Sequence, residues 1–366
     1  MTLGAHPFFQ PEKRPHVEGD FRREEVALAN RNSGLPLEAL RHDLTPIGLH
    51  YLLIHFDIPY VEAPERWNVK VGGRVSNAIE VPLSEIKRLP QRSLRVTLEC
   101  AGNGRAKLTP RSQSQPWGNG AVGTAEWTGT PVRYLLERAG MAADAVDVAF
   151  FGADRGFDAG VEHDYGRSLT PDLAMSDDVL LVHTMNGQPL LPQHGFPLRL
   201  IVPGWYGMAS VKWLNRIEVL DRPFDGFQQV RTYVYRQHSG DEGVPVTHMR
   251  VKSLMVPPGI PDWYTRARLV ERGPVELYGR AWSGGGVPIA MVEVGVDGAW
   301  QEATLDPPAG QYAWRGWRFT WDAQPGEHEL MCRATDEAGN VQPLDAPWDS
   351  GGFGNNVVHR VTVTVR

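Results

Sequence analysis

From about Val246 onward the chain carries no helix signal, and short runs of alternating apolar and polar residues recur between turns. The runs fall at Val275 to Trp282, Ile289 to Val296, Trp317 to Trp321, His328 to Thr335 and Val357 to Arg366, with Asp297-Gly298 reading as a hairpin turn. Strands of this length and spacing over roughly 120 residues predict an antiparallel β-sandwich of immunoglobulin-like type. Ahead of that point strands mix with short helices and long loops. The clearest helix has Thr130 as its cap, Pro131 in its first turn and Gly140 beyond its end, with Val132, Leu135, Leu136 and Ala139 forming the buried stripe. A chain of 366 residues exceeds what one ordinary core holds. The expectation is an α+β protein: a mixed α/β domain over 1–245, then a β-sandwich over 246–366.

Cys100 is one of only two cysteines, and it ends an alternating strand. Leu94, Val96 and Leu98 are apolar while Ser93, Arg95, Thr97 and Glu99 are polar, so Cys100 falls on the core-facing side. Composition alone favours a buried structural thiol there. The residues that follow, Ala101-Gly102-Asn103-Gly104-Arg105, weaken that reading without displacing it. Glycines flanking Asn103 allow positive φ and free backbone N–H groups to face a ligand, while Arg105 supplies a charge that favours thiolate. Cys332, between Met331 and Arg333 in one of the sandwich runs, reads as core. Two cysteines make no disulfide scaffold, and there is no Cys-x-x-Cys-His for haem and no paired Cys-x-x-Cys for zinc.

Global charge narrows the partners. At a net −6, with no lysine or arginine run, nucleic acid and anionic membrane are poor partners. No apolar stretch approaches the roughly 18 residues of a membrane span, and the opening residues show no leader. A soluble cytoplasmic protein is expected, periplasmic if a leader was removed ahead of Met1.

A second dense stretch runs from His194 through Gly195-Phe196-Pro197-Leu198-Arg199 to Ser210-Val211-Lys212-Trp213. His194, Arg199, Ser210 and Lys212 together suit a phosphate and the polar edge of a large heterocycle, although each alone is an ordinary surface or strand-edge residue.

The Cys100 to Arg105 segment, Met185-Asn186-Gly187-Gln188-Pro189-Leu190, the His194 to Arg199 segment and Ser210 to Trp213 together resemble the sulfite oxidase family of molybdenum enzymes, which includes the molybdenum domain of eukaryotic nitrate reductase. Trp282-Ser283-Gly284-Gly285-Gly286 and Asn355-Asn356-Val357-Val358-His359-Arg360 are similar to that family's dimerisation domain. The resemblance implies molybdenum with molybdopterin as cofactor, no haem or flavin in this chain, a homodimer, and a separate electron acceptor such as a cytochrome. It places Cys100 as the protein's ligand to molybdenum, a role that suits a soft thiolate. His55, Asn103, Asp154, His194, Arg199, Ser210 and Lys212 fall at pterin- and phosphate-binding positions, Arg105 in the substrate pocket, and Tyr233 or Tyr235 at the pocket tyrosine.

The implied reaction is oxygen-atom transfer to a lone pair on a small-molecule substrate. Departures qualify the substrate. Family members commonly place three arginines around sulfite, and two of those positions are Leu53 and Gly351 here. Losing two charge-assisted contacts at roughly 1.5–3 kcal/mol each would cost on the order of 10²–10⁴ in efficiency toward a small dianion. A larger or less charged substrate is therefore the rival to sulfite. A cofactor-binding dimeric protein without turnover and a cysteine-nucleophile hydrolase are the readings from other classes.

Overall fold

The computed structural model describes residues 21–238 and 240–366. It is mostly sheet, with few and short helices. In the C-terminal part, one sheet carries Lys252–Met255, Gly273–Trp282, Arg315–Ala323 and Thr304–Leu305. The facing sheet runs Ile260–Pro261, Arg268–Val270, His359–Val365, Gly326–Asp336, Ile289–Val296 and Ala299–Glu302. Leu277 and Trp317 from the first meet Val292, Val294, Leu330, Cys332 and Val363 from the second in one apolar core. Each expected run of alternation is a strand. Asp297 and Gly298 have φ of 49° and 86°, the pair of positive values that a two-residue hairpin turn matched to strand twist requires. Cys332 is fully buried in that core.

Two five-stranded sheets build the N-terminal part, with a small antiparallel pair of Val234–Tyr235 and Val244–Pro245 beside them. One orders Ile79–Pro82, Asn68–Gly73, Leu214–Leu220, Asp147–Asp158 and Val161–Leu169, with the Asn68–Gly73 and Leu214–Leu220 pair parallel. The other orders Arg92–Glu99, Val122–Pro131 and Leu180–Met185, with Gln188–Pro189 and Arg199–Ile201 both paired to the last. The helix Arg133–Ala139 buries Leu135, Leu136 and Ala139, and Val132 just before it, against strands of both. Gly140 ends it at φ 69°, as expected of a left-handed C-terminal residue. Thr130 is not its cap. It remains in the Val122–Pro131 strand opposite Leu181, and its hydroxyl donates to the Ile86 carbonyl. The ladder and that bond satisfy Thr130 before the helix begins.

The alternation of Arg92–Glu99 also breaks. Leu94, Val96 and Leu98 face inward as expected, yet Thr97 and Glu99 on the other face are fully buried as well. The sandwich domain covers them: Thr97 N–H donates to the Tyr312 carbonyl (2.9 Å), and its hydroxyl accepts from Trp314 N–H (2.7 Å). A shared apolar cluster joins Ala101, Val122, Tyr206 and Tyr233 to Leu254, Trp282, Trp314 and Phe353. Cys100 therefore lies at a strand end enclosed by both domains.

Candidate functional site: two cavities meeting at Cys100

The first cavity is lined by residues that include His55, Cys100, Asp154, His194, Arg199, Ser210, Lys212 and Tyr233. Turns and strand ends supply these side chains. His194 closes the turn Pro192–His194, Arg199 opens the strand Arg199–Ile201, Ser210 follows the turn Gly207–Ala209, and Lys212 precedes Leu214–Leu220. Gly195, at φ 102°, separates the two cations: a Cβ there would lie 3.1 Å from the Cβ of both Arg199 and Lys212. His55 belongs to a segment pinned by Ser33 and Leu52, whose backbones exchange hydrogen bonds, and by Asn32, whose side-chain oxygen accepts from Ile54 N–H.

Asp154 reaches the cavity through an irregularity. The pairing of Asp147–Asp158 with Val161–Leu169 shifts register between Phe151 and Arg155, and such bulges re-aim side chains. Gly152 makes room, since a Cβ there would meet Asp154 Oδ1 at 2.3 Å and the Lys212 carbonyl at 2.6 Å.

The polar groups of this cavity are under-satisfied. Asp154 Oδ1 and His50 Nε2 are buried without a hydrogen-bond partner. Lys212 Nζ donates to the carbonyls of Leu53 (2.8 Å) and Gln193 (3.2 Å), which leaves the third ammonium proton. Arg199 Nη1 and Nη2 donate to the carbonyls of His194 (3.0 Å) and Ser210 (3.1 Å), so each of those nitrogens retains one N–H. Burial drags the Arg199 guanidinium down to about 10 and holds Lys212 well below the usual ammonium range, with Arg199 adding to the effect. Burial pushes the Asp154 carboxyl up. Two desolvated cations with spare donors and no full counter-charge form a ready anion site.

The second cavity, about 290 Å³, shares Leu53, His55, Cys100 and Tyr233 with the first. Its wall mixes apolar Leu28, Ile54, Phe56, Trp117, Phe157 and Phe353 with polar groups, and its two arginines are exposed Arg31 and buried Arg105. Arg105 is fastened: Nη1 donates to the Gln115 carbonyl and Nε to the Gly351 carbonyl, each at 3.0 Å, and the guanidinium lies 5.1 Å from the Phe353 ring. Burial raises the Cys100 thiol, and the Arg105 charge works against it. Tyr233 spans both cavities, its hydroxyl 2.6 Å from His55 Nε2. Tyr235 instead packs beneath Arg250, 4.7 Å from its ring centre.

Asn103 lies on neither cavity wall. Its amide nitrogen donates to Glu99 (2.9 Å) and its oxygen accepts from Ala121 N–H (3.0 Å), so the loop's own closure consumes both ends. His50, Tyr51, Tyr165, Met208 and Trp117 line the cavities without having stood out in the sequence. The one local cue was the closeness of His50 and Tyr51 to His55.

The buried histidines dictate a pH response. Burial lowers His50 to about 4 and His55, His194 and His359 to about 3. Between those values and the ordinary 6.5, the unfolded chain takes up protons that the folded chain refuses, so stability falls as pH falls. Each histidine contributes about 1.4 kcal/mol per pH unit, and the raised carboxyl of Asp154 opposes one of them. The cofactor-free protein should then lose roughly 4 kcal/mol per pH unit near pH 5. Urea unfolding at stepped pH measures this, and a flat profile from pH 6 to 4.5 would contradict it.

Comparison with known proteins places these features together. A family model described as "Oxidoreductase molybdopterin binding domain" matches residues 55–228, and one described as "Mo-co oxidoreductase dimerisation domain" matches residues 244–366. Mitochondrial sulfite oxidase of Homo sapiens is 32% identical over 96% of this chain and 68% of its own length. Nitrate reductase [NADH] 2 of Phaseolus vulgaris is 32% identical over 91% of this chain, which spans only 41% of that relative. The crystal structure of the sulfane dehydrogenase SoxCD from Paracoccus pantotrophus matches with a TM-score of 0.79 at 26% identity, covering 100% of this chain and 95% of that one.

Proposed function

Because the chain belongs to the sulfite oxidase family of molybdopterin-dependent oxidoreductases, we propose that it catalyses oxygen-atom transfer at a molybdenum bound through Cys100, on a substrate larger and less charged than sulfite. The observation that carries this reading is the position of Cys100 on the shared wall of two cavities, one holding Arg199, Lys212 and Asp154 and the other Arg105. Among the described residues no three His, Cys, Asp or Glu side chains gather to hold a metal, so further ligands to a metal at Cys100 must come from a cofactor. The first cavity fits such a group. Arg199 and Lys212 offer spare donors to a phosphate, and Asp154 Oδ1 is an orphaned acceptor suited to an N–H of a pterin. His55, His194 and Ser210 complete that wall.

When bound, the cofactor supplies two-electron oxygen-atom chemistry, and the protein supplies orientation and electrostatics. Leu53, Phe56, Trp117 and Phe353 give the substrate side its apolar surface, and Arg105 sets the local potential. Tyr233 and neutral His55, in contact at 2.6 Å, can pass a proton between the two cavities. Electrons leave to a separate acceptor, and the match to a dimerisation domain supports a homodimer.

The test is molybdenum content together with reduction of the loaded protein under sulfite and an artificial electron acceptor. Stoichiometric molybdenum with only slow reduction at millimolar sulfite is expected. Reduction within a second would make sulfite the substrate, and molybdenum-free protein from a cofactor-competent host would sink the assignment.

A further inference from the structure

Glu99 immediately precedes Cys100 and is 1% exposed. One carboxylate oxygen accepts from Lys252 Nζ and from Asn103 Nδ2, and the other accepts from Trp282 Nε1, all at 2.9 Å. Lys252, 2% exposed, also donates to the Asn355 carbonyl at 2.8 Å, and the Asn355 amide donates to the Gly104 carbonyl at 2.8 Å. Gly354 N–H donates to the Ala101 carbonyl at 2.8 Å. The loop on both sides of Cys100 is thus gripped by groups from the sandwich domain, with the Glu99 and Lys252 ion pair at the centre.

Stability alone does not account for that pair. Desolvating a carboxylate and an ammonium offsets their attraction, and a well-packed apolar pair of similar volume serves a core equally well or better. An ion pair differs in direction: three donors converge on Glu99 and fix the end of the strand that presents the Cys100 sulfur.

We propose that Glu99, Lys252 and Trp282 form a positioning lock through which the sandwich domain sets the Cys100 sulfur for its metal. These are positioning residues, since they act through the backbone of Cys100. The proposal rests on the reading of Cys100 as the metal ligand.

The experiment compares cofactor-loaded wild type with Lys252→Met, the double variant Glu99→Leu with Lys252→Met, and Trp282→Phe. Lys252→Met leaves a buried carboxylate unpaired and should lower Tm sharply. The double variant removes both charges and should regain part of that Tm, the shortfall coming from the Asn103 and Trp282 donors that lose their acceptor. Its thiolate-to-metal absorption should nonetheless shift, and its metal retention should fall about 10- to 100-fold, the range for lost outer-shell support. Trp282→Phe, which removes one donor and little volume, should shift the absorption in the same direction even if the double variant does not fold. Wild-type absorption and metal retention in whichever of these two folds would overturn the lock. Failure of the underlying reading is separate: it would show as Cys100→Ser retaining the wild-type absorption.

Discussion

Cys100→Ser should leave a folded protein that has lost its metal centre. The backbone at this position is held independently of the side chain: Cys100 N–H donates to the Ala121 carbonyl at 2.9 Å, and its carbonyl accepts from Asn103 N–H at 2.9 Å. A serine hydroxyl fits the same space, so Tm should change little. The chemistry changes completely. Serine stays protonated near neutral pH and offers a hard oxygen where the centre needs a soft, charge-donating thiolate. Losing a ligand should exceed the roughly 10- to 100-fold losses that follow removal of outer-shell partners. Molybdenum content, the visible spectrum and turnover should therefore fall together. Molybdenum held in the same coordination by the serine variant would show that Cys100 is not the ligand.

How far the sequence discloses such a site depends on whether its geometry is local. The sandwich strands are legible because a period of two over seven to eleven residues is set by each strand's own two faces. Cys100 is legible for the same reason. Thr97 and Glu99 are not, because the domain that buries their face is contributed by residues more than a hundred positions away. Asp154 sits in a register shift, which places its side chain outside any alternation. His50, Tyr51 and Trp117 lie on irregular segments where no period exists to say which way a side chain faces. Asn103 shows the opposite difficulty. Its flanking glycines, with Gly104 at φ 88°, read as a loop turned toward a ligand, yet the loop closes on itself and spends the Asn103 amide on Glu99 and Ala121.

The substrate side yields the second large effect: Leu53→Arg should raise kcat/KM for sulfite about 10- to 100-fold, mainly through KM. Leu53 lines both cavities and packs against Cys100 and Trp117. A guanidinium there would face a small dianion from a second direction, with Arg105 already on the wall. One charge-assisted contact is worth roughly 1.5–3 kcal/mol, or about 10- to 150-fold. Repulsion from Arg105 and Lys212 pulls the result toward the lower part of that range. Gly351 cannot contribute its share as simply. A Cβ there would come within 2.6 Å of the Phe353 ring, the same ring that stacks on Arg105, so an arginine at 351 would first displace a group that holds the existing cation. The gains at 53 and 351 should therefore fall short of additivity. Steady-state sulfite kinetics at low and high salt, on protein with matched molybdenum content, measure both the gain and its screening. Unchanged sulfite kinetics in a fully loaded Leu53→Arg variant would mean that charge at this wall does not limit the reaction, and that the chamber selects its substrate by shape.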